Sequence, residues 1–592
     1  VSHLLHPNIY MFIINVFLTL QSMKQTMVQH EPRQKWAKPF DFLFSTVGYV
    51  VGLGNLWRFP YLCFENGGGA FLIPYTLSVI FIAIPVIILE TSFGQYCQQG
   101  VSKSWNRVPL FKGVGLAGMI TIFHSSVYYV VILAWAAKYL VASFQFPLPW
   151  TSCGNSWNTE SCVEVGRRDV LNVTVSKILI HEVTYMYGKN YVTVSERLHW
   201  TVVNCSVKTK LYVKFYCSKQ VLQSSDGIEN IGSILPDLVL YFLLLWVGLY
   251  ICTFKGIKWS SKIVYVTATL PIVLIIIILV HTSQLDGASN GIYLYLTPNM
   301  TKLANPSVWI SAATQATFSF GSGRGSMLVM SSFNQYNHNF LRDAVTIGIC
   351  DTVASFLSGF AVFASLGFMA KQLNTTVLDV AKSGPGLVFI AHPQSISLLP
   401  HPQIWSCLFF ITLILLGFDS EFVFLEVFVT FIVDCSSRIR SYRWHREVTT
   451  AIVCTVMCLI GLSMVTEGGI YVFEIYNNYA VAGWCLFLLA TTELIAIAWV
   501  YGIDVHFRGM TDMLGPFRGK LYLKLCWKYI TPSICLTIVV YYLAGLKTLK
   551  LGDYVFPVWA QIIGHLMSFS SVLLIPGYAV YIKLKSKKTF SE

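Results

Sequence analysis

Apolar residues run in blocks along this 592-residue chain, each about as long as the roughly 20 residues a helix needs to cross a hydrocarbon layer. Twelve such blocks fall near 39–64, 70–96, 114–145, 233–253, 261–282, 306–335, 342–371, 403–433, 447–466, 472–502, 526–546 and 557–582. The pattern predicts an all-α membrane protein with twelve transmembrane helices. Residues 1–38 form an N-terminal segment, 39–583 the membrane domain and 584–592 a C-terminal tail, with one long polar insertion over 146–232. A further apolar run from Ile9 to Leu20 is too short to span comfortably. It reads as a poor signal-like stretch, or as the start of a fragment, and is assigned no function.

Composition supports the bilayer as solvent. Charged residues are 12% and apolar ones 55% of the chain, with a mean hydropathy of +0.60. Soluble domains carry about 25% charge, and disordered chains need more, so both classes are excluded. The net charge of +13 comes from 41 Lys and Arg against 28 Asp and Glu. It points away from nucleic acid, because the basic residues sort into alternate loops. Lys103, Arg107 and Lys112 follow the second block, Lys255, Lys258 and Lys262 the fourth, and Arg438, Arg440, Arg443 and Arg446 the eighth. Arg508, Arg518, Lys520 and Lys524 follow the tenth, and the tail adds Lys583, Lys585, Lys587 and Lys588. The positive-inside rule places both termini in the cytoplasm and 146–232 outside. Lys547 and Lys550 run against it, but two charges do not outvote the pattern. Glycosylation sequons at Asn172, Asn204, Asn299 and Asn374 all fall on the outer side. There too, Cys153 and Cys162 sit in a polar stretch suited to a disulfide.

Two of the blocks are interrupted by glycine. The first contains Gly48, Gly52 and Gly54 in GYVVGLGNLWRFP, and the sixth contains Gly321, Gly323 and Gly325 in FSFGSGRGSM. Each opens a group of five blocks. Transporters place their sites at such breaks, where freed carbonyls suit sodium and freed N–H groups suit a carboxylate. The plainer reading, close helix packing through small residues, explains one cluster better than two in matching positions. Arg58, Glu90, Arg324, Asp351, Asp419, Glu421 and Glu426 lie inside apolar blocks, where a charge is costly unless paired or bound to an ion. The pair Asp419–Ser420 offers the oxygen ligands a hard cation wants. His124 is read as a packed or cavity-facing histidine. No Ser/His/Asp set, phosphate loop or spaced metal motif stands out, so an enzyme is not expected.

GLGNLWRFPY followed by ENGGGAFLIPY closely resembles the first two helices of the neurotransmitter:sodium symporter family (solute carrier family six). The resemblance continues through SCGNSWNTESC, SSFNQYNHN, SGFAVFASLGFMA and GFDSEFVFLE, over roughly residues 33–585. It implies a LeuT-type fold, with the first ten of twelve helices forming a 5+5 inverted repeat. It also implies two sodium sites. One uses the carbonyls of Gly48, Val51 and Leu416 with Asp419 and Ser420. The other uses the Val50 carbonyl, Asn55, Ser319 and position Asp351. Chloride-site equivalents are Tyr75, Gln315, Ser319, Asp351 and Ser355. The implied substrate pocket comprises Gly52, Tyr129, Phe318, Ser319, Gly321 and Ser420, with Arg324 and Glu421 beside it. Tyr129 would bind a substrate carboxylate and Phe318 would act as a lid. Arg58 is the implied extracellular gate, and Arg33 with Asp434, near Trp36, the cytoplasmic one.

Gly52 selects a substrate class. Monoamine carriers of the family place Asp there, whereas glycine leaves room for a substrate's own carboxylate. Arg324 adds repulsion of cationic amines. The expected substrate is therefore an amino acid or a related zwitterion.

Four positions depart from the family pattern. Asp351 stands where Asn is usual. A fixed carboxylate there supplies the negative charge chloride otherwise brings, so weak or absent chloride dependence is expected; the alternative is a protonated Asp351 that mimics Asn, and chloride use stays open. Arg324 and Glu421 replace uncharged residues, and mutual pairing is favoured over an Arg324 that binds an acidic group on the substrate. Asn477 replaces the extracellular gate acid, leaving Glu474 one turn away. The sequence thus points to a plasma-membrane, sodium-coupled importer of an amino-acid-like solute in the lipid bilayer. A transport-deficient relative serving as sensor or scaffold is the alternative, an ion channel fits poorly, and the oligomeric state is left open.

Overall fold

The structure is a computed structural model that describes residues 33–152, 154–158, 162–163, 210–211, 216–377, 387–481, 483–545, 548–552 and 554–589. It is overwhelmingly helical. Among the described residues, named strands are confined to two short pairs, Cys162–Val163 with Lys210–Leu211 in parallel and Lys550–Leu551 with Tyr554–Val555 in antiparallel. Among the described residues nine helices are long and apolar enough to cross a membrane. A tenth is formed if Val558–Val572 and Leu574–Lys585, bent by 46° at their junction, count as one span.

Ten of the predicted blocks are thus matched by continuous or bent helices. The other two, the first and the sixth, are broken. The helix Pro39–Val50 begins with proline at its first position and with the Asp41 carboxylate accepting from the Lys38 N–H at 3.0 Å. It stops after Val50, and the chain resumes as a wide π-helical turn over Gly54–Arg58 and the helix Phe59–Glu65. The helix Pro306–Ser319 is capped by the Asn305 side chain. It ends before Gly321, Gly323 and Gly325, at φ of +60°, +78° and +75°, and restarts as Ser326–Ser331. Three residues in the left-handed region end the helix without steric cost only because they are glycine.

Burial sorts the helices into a core and a shell. The helix Lys112–Ala142 is enclosed nearly along its length, and Pro402–Cys435 packs against it and against both Pro39–Val50 and Ile257–Ser283. The outer helices Pro236–Thr253 and Ile257–Ser283 instead expose Leu240, Leu244, Val247, Val266, Val273 and Val280. Apolar side chains turned outward on such helices match a lipid environment, in which the hydrophobic effect gives no reason to hide them.

Candidate functional site

The two broken helices meet at the centre of the molecule. Residues 51–53 and 320–325 carry backbone groups outside regular helix, and side chains from neighbouring helices bind them. Glu90, wholly buried, accepts from the Gly323 N–H at 2.6 Å through Oε1 and from the Met327 N–H at 3.2 Å through Oε2. A carboxylate at these exposed N–H groups explains why an acid is kept inside an apolar helix. Tyr129 OH accepts from the Leu53 N–H at 3.3 Å, and Ser420 Oγ donates to the Tyr49 carbonyl at 3.1 Å.

Oxygen atoms converge beside the first break. Ser319 Oγ donates to Asp351 Oδ1 at 2.8 Å and lies 3.4 Å from both the Val50 carbonyl and Asn55 Oδ1. Asn55 Oδ1 also accepts from the Gly52 N–H at 3.1 Å. The four ligands expected for one sodium ion are therefore neighbours. For the second set, a Cβ added to Gly48 would lie only 2.7 Å from Asp419 Oδ2, so the carboxylate presses on the backbone of the first helix. Asp419 Oδ1 is buried with no hydrogen-bond partner among the described residues. Ser420 Oγ lies 3.5 Å from the Leu416 carbonyl, and Val51 is buried beside the break. An orphaned carboxylate oxygen near a hydroxyl and backbone carbonyls suits a hard cation.

The chloride-site equivalents gather around Asp351. Its Oδ1 accepts from Asn55 Nδ2 at 2.7 Å as well as from Ser319, and its Oδ2 from Tyr75 OH at 3.3 Å. Asn55 Nδ2 reaches Ser355 Oγ at 2.9 Å. Gln315 Nε2 donates to the Gly54 carbonyl at 3.3 Å. Three donors address this one carboxylate, and an ionised carboxylate is purely an acceptor.

Beside these groups lies a small cavity of about 30 Å³, lined in part by Gly52, Tyr129, Phe318, Ser319, Arg324 and Ser420. Tyr49, Ser125, Tyr128 and Phe424 also line it and were not anticipated. The run SSVYY at 125–129, polar within an apolar block, was the signal for the residues on that helix; Phe424 gave none. Gly321 does not face the cavity. It backs onto Tyr49, where an added Cβ would come within 2.0 Å of the hydroxyl.

The favoured pairing of Arg324 with Glu421 is absent. No ion pair joins them among the described residues. Glu421 is wholly buried outside the cavity wall and accepts a short hydrogen bond from Ser126. Arg324 points the other way, its guanidinium carbon 5.1 Å from the Phe318 ring centroid and 5.7 Å from that of Phe424. The reason is helix geometry: Arg324 sits on the irregular turn facing the cavity, whereas Glu421 faces the Lys112–Ala142 helix.

Glu474 does not take over the role of the missing gate acid. Its Oε2 accepts from Asn478 Nδ2 at 2.8 Å, and Arg58 instead lies 4.9 Å from the Phe318 ring. At the opposite end, Arg33 Nη1 meets Asp434 Oδ2 at 2.7 Å and Arg33 Nε donates to Ser332 Oγ at 3.1 Å. Trp36 anchors that strap through Nε1 to the Met330 carbonyl at 3.1 Å. Glu426 is paired with Arg446, and His124 faces Ser570 Oγ at 3.2 Å. Asn299 and Asn374 are exposed. Asn172, Asn204 and Cys153 lie outside the described residues, as does the side chain of Cys162.

A sequence profile of the Sodium:neurotransmitter symporter family matches residues 33–586. The chain is 40% identical to the sodium- and chloride-dependent creatine transporter 1 of Bos taurus over 563 residues, covering 95% of this chain and 85% of that protein. It is 40% identical to the sodium- and chloride-dependent GABA transporter 2 of Mus musculus over 559 residues, 94% of this chain and 87% of that protein. Against the sodium- and chloride-dependent taurine transporter of Rattus norvegicus it is 41% identical over 557 residues, 94% of this chain and 85% of that protein. The chain therefore belongs to the sodium:neurotransmitter symporter family, in its amino-acid and GABA branch, a family of membrane transporters and not of enzymes.

Proposed function

We propose that this chain is a plasma-membrane symporter that uses sodium to import an amino acid or amino-acid-like zwitterion by alternating access. The observation that carries this reading is the meeting of Val50, Asn55, Ser319 and Asp351 oxygens directly beneath the Tyr129 and Gly52 end of the cavity. Sodium on these oxygens draws the two broken helices together and leaves one coordination position for a substrate carboxylate. A second sodium ion sits between Gly48, Val51, Leu416, Asp419 and Ser420. The two broken segments count as spans, giving twelve helices in a LeuT-type 5+5 arrangement with both termini cytoplasmic. Phe318 closes over the solute, and release of the Arg33–Asp434 latch then opens the inner side. The relatives' names, with creatine, GABA and taurine, support a small polar solute.

Chloride is dispensable in this reading. The Asp351 carboxylate takes the donors of Asn55, Ser319 and Tyr75, so a fixed negative charge occupies the place of the mobile one. The test is uptake of a radiolabelled amino-acid panel in oocytes, with sodium replaced by choline and chloride by gluconate in turn. Uptake lost without sodium and kept without chloride is expected. Uptake of monoamines alone overturns the substrate class, and collapse in gluconate overturns the chloride claim. Surface-expressed protein that takes up nothing favours the sensor or scaffold reading, which an Arg58 in no ion pair among the described residues supports.

A further inference from the structure

Among the described residues, Arg324 is the one cationic side chain on the cavity wall, and no carboxylate side chain lines that wall. It is 2% exposed, its Nε and Nη2 are buried without hydrogen-bond partners among the described residues, and it forms no ion pair there. Burying a guanidinium with two of its nitrogens unmatched is costly, and the Tyr49 hydroxyl beside it and the rings of Phe318 and Phe424 compensate only in part. Glu421, the acid close in sequence to this pocket, is turned to Ser126. Arg58 adds a second cation near the same ring, so two guanidiniums lie 4.9 and 5.1 Å from the Phe318 centroid. Arg324 therefore gives the lining itself a positive charge.

We propose that Arg324 receives a second acid group of the substrate, so that the solute is a compact diacid. This rests on the symporter reading and narrows it. One carboxylate lies at the Gly52 and Tyr129 end, against the sodium oxygens. The other reaches the Nε and Nη2 edge of Arg324, whose two donors match the two oxygens of a planar carboxylate. A monocarboxylic zwitterion leaves this edge unmatched and binds more weakly, because a site built to hydrogen-bond a group rejects the analogue lacking it.

The test uses the full chain, with surface biotinylation as the control for folding. Sodium-dependent uptake of L-aspartate, L-glutamate and succinate is compared with that of L-alanine and GABA. Uptake of at least one diacid more than about tenfold above the monoacids is expected. R324Q should abolish that preference while the protein remains at the surface, and R324K should keep part of it. Preference for an amino diacid over succinate assigns the amine as part of the solute; the reverse assigns an amine-free diacid, and either result supports the second acid group. Wild-type uptake of alanine or GABA at rates equal to the diacids overturns the proposal and leaves the symporter reading intact. If no solute is taken up, the symporter reading fails on its own, and thermal stabilisation of the purified protein decides the inference. Stabilisation by aspartate or succinate that is lost in R324Q supports it, and no diacid-specific stabilisation overturns it.

Discussion

Ser319 Oγ donates to Asp351 Oδ1 at 2.8 Å, joining the end of the first half of a broken helix to the middle of the long helix Phe340–Gln372. The same carboxylate oxygen takes the Asn55 amide from the other broken helix. One side chain thus ties both breaks together. Replacing it by Asn returns the neutral residue that is usual in the family and removes the fixed charge. D351N is expected to make uptake chloride-dependent, with a drop of at least about tenfold when gluconate replaces chloride, against little change in the wild type. Uptake currents recorded in the two anions check this.

At Gly52 an added Cβ would lie 2.6 Å from Ser420 Oγ and 3.1 Å from Tyr129 OH. There is no room for a side chain where the substrate carboxylate is expected. G52A should lower uptake at saturating sodium by at least about tenfold without removing protein from the surface, and G52D should abolish it. The double variant G52A/S420A relieves the closer contact and should recover part of the loss.

Asp419 Oδ1 has no hydrogen-bond partner among the described residues although it is buried. If sodium is its partner, D419N weakens a ligand and removes a countercharge together. The half-saturating sodium concentration should rise at least about tenfold, and the sigmoidal dependence on sodium should flatten. A sodium titration of uptake that is unchanged in D419N would exclude Asp419 as a ligand.

The Arg33–Asp434 pair is partly buried, with both side chains below one fifth exposed. Breaking such a pair by removing one partner leaves the other charge uncompensated. R33A and D434A should each favour the inward-open form and reduce net uptake several-fold. The exchange R33D/D434R should restore part of it. Accessibility of Cys435, next to Asp434, to a membrane-impermeant thiol reagent applied to inside-out vesicles gives a direct reading. It should rise in both single variants.

The membrane class and the two helix breaks could be read from the chain because their signals are local. Twenty apolar residues, or a glycine at every second position, need no knowledge of what lies opposite. Ser319, Asn55 and Asp351 were named together through motif resemblance, and they meet. Arg324 and Glu421 were read as partners because both are odd charges near the expected pocket, and that inference failed. Their orientation depends on which face of each helix turns inward, which apolar surroundings do not encode. The wall residue Phe424 was missed for the same reason: an aromatic in an apolar block looks alike whether it faces lipid, core or solute.

By itself, then, the sequence determined that this protein lives in a bilayer, where its helices break, and which family it resembles, since hydrophobicity and backbone freedom are properties of neighbouring residues. The tertiary structure alone decided the partners of the buried charges. Tyr75 reaches Asp351 across 276 positions of chain and Ser126 reaches Glu421 across 295. Contacts at that separation are set by how helices rotate and pack around a shared centre. That packing turned Glu421 toward a serine and left Arg324 facing the cavity.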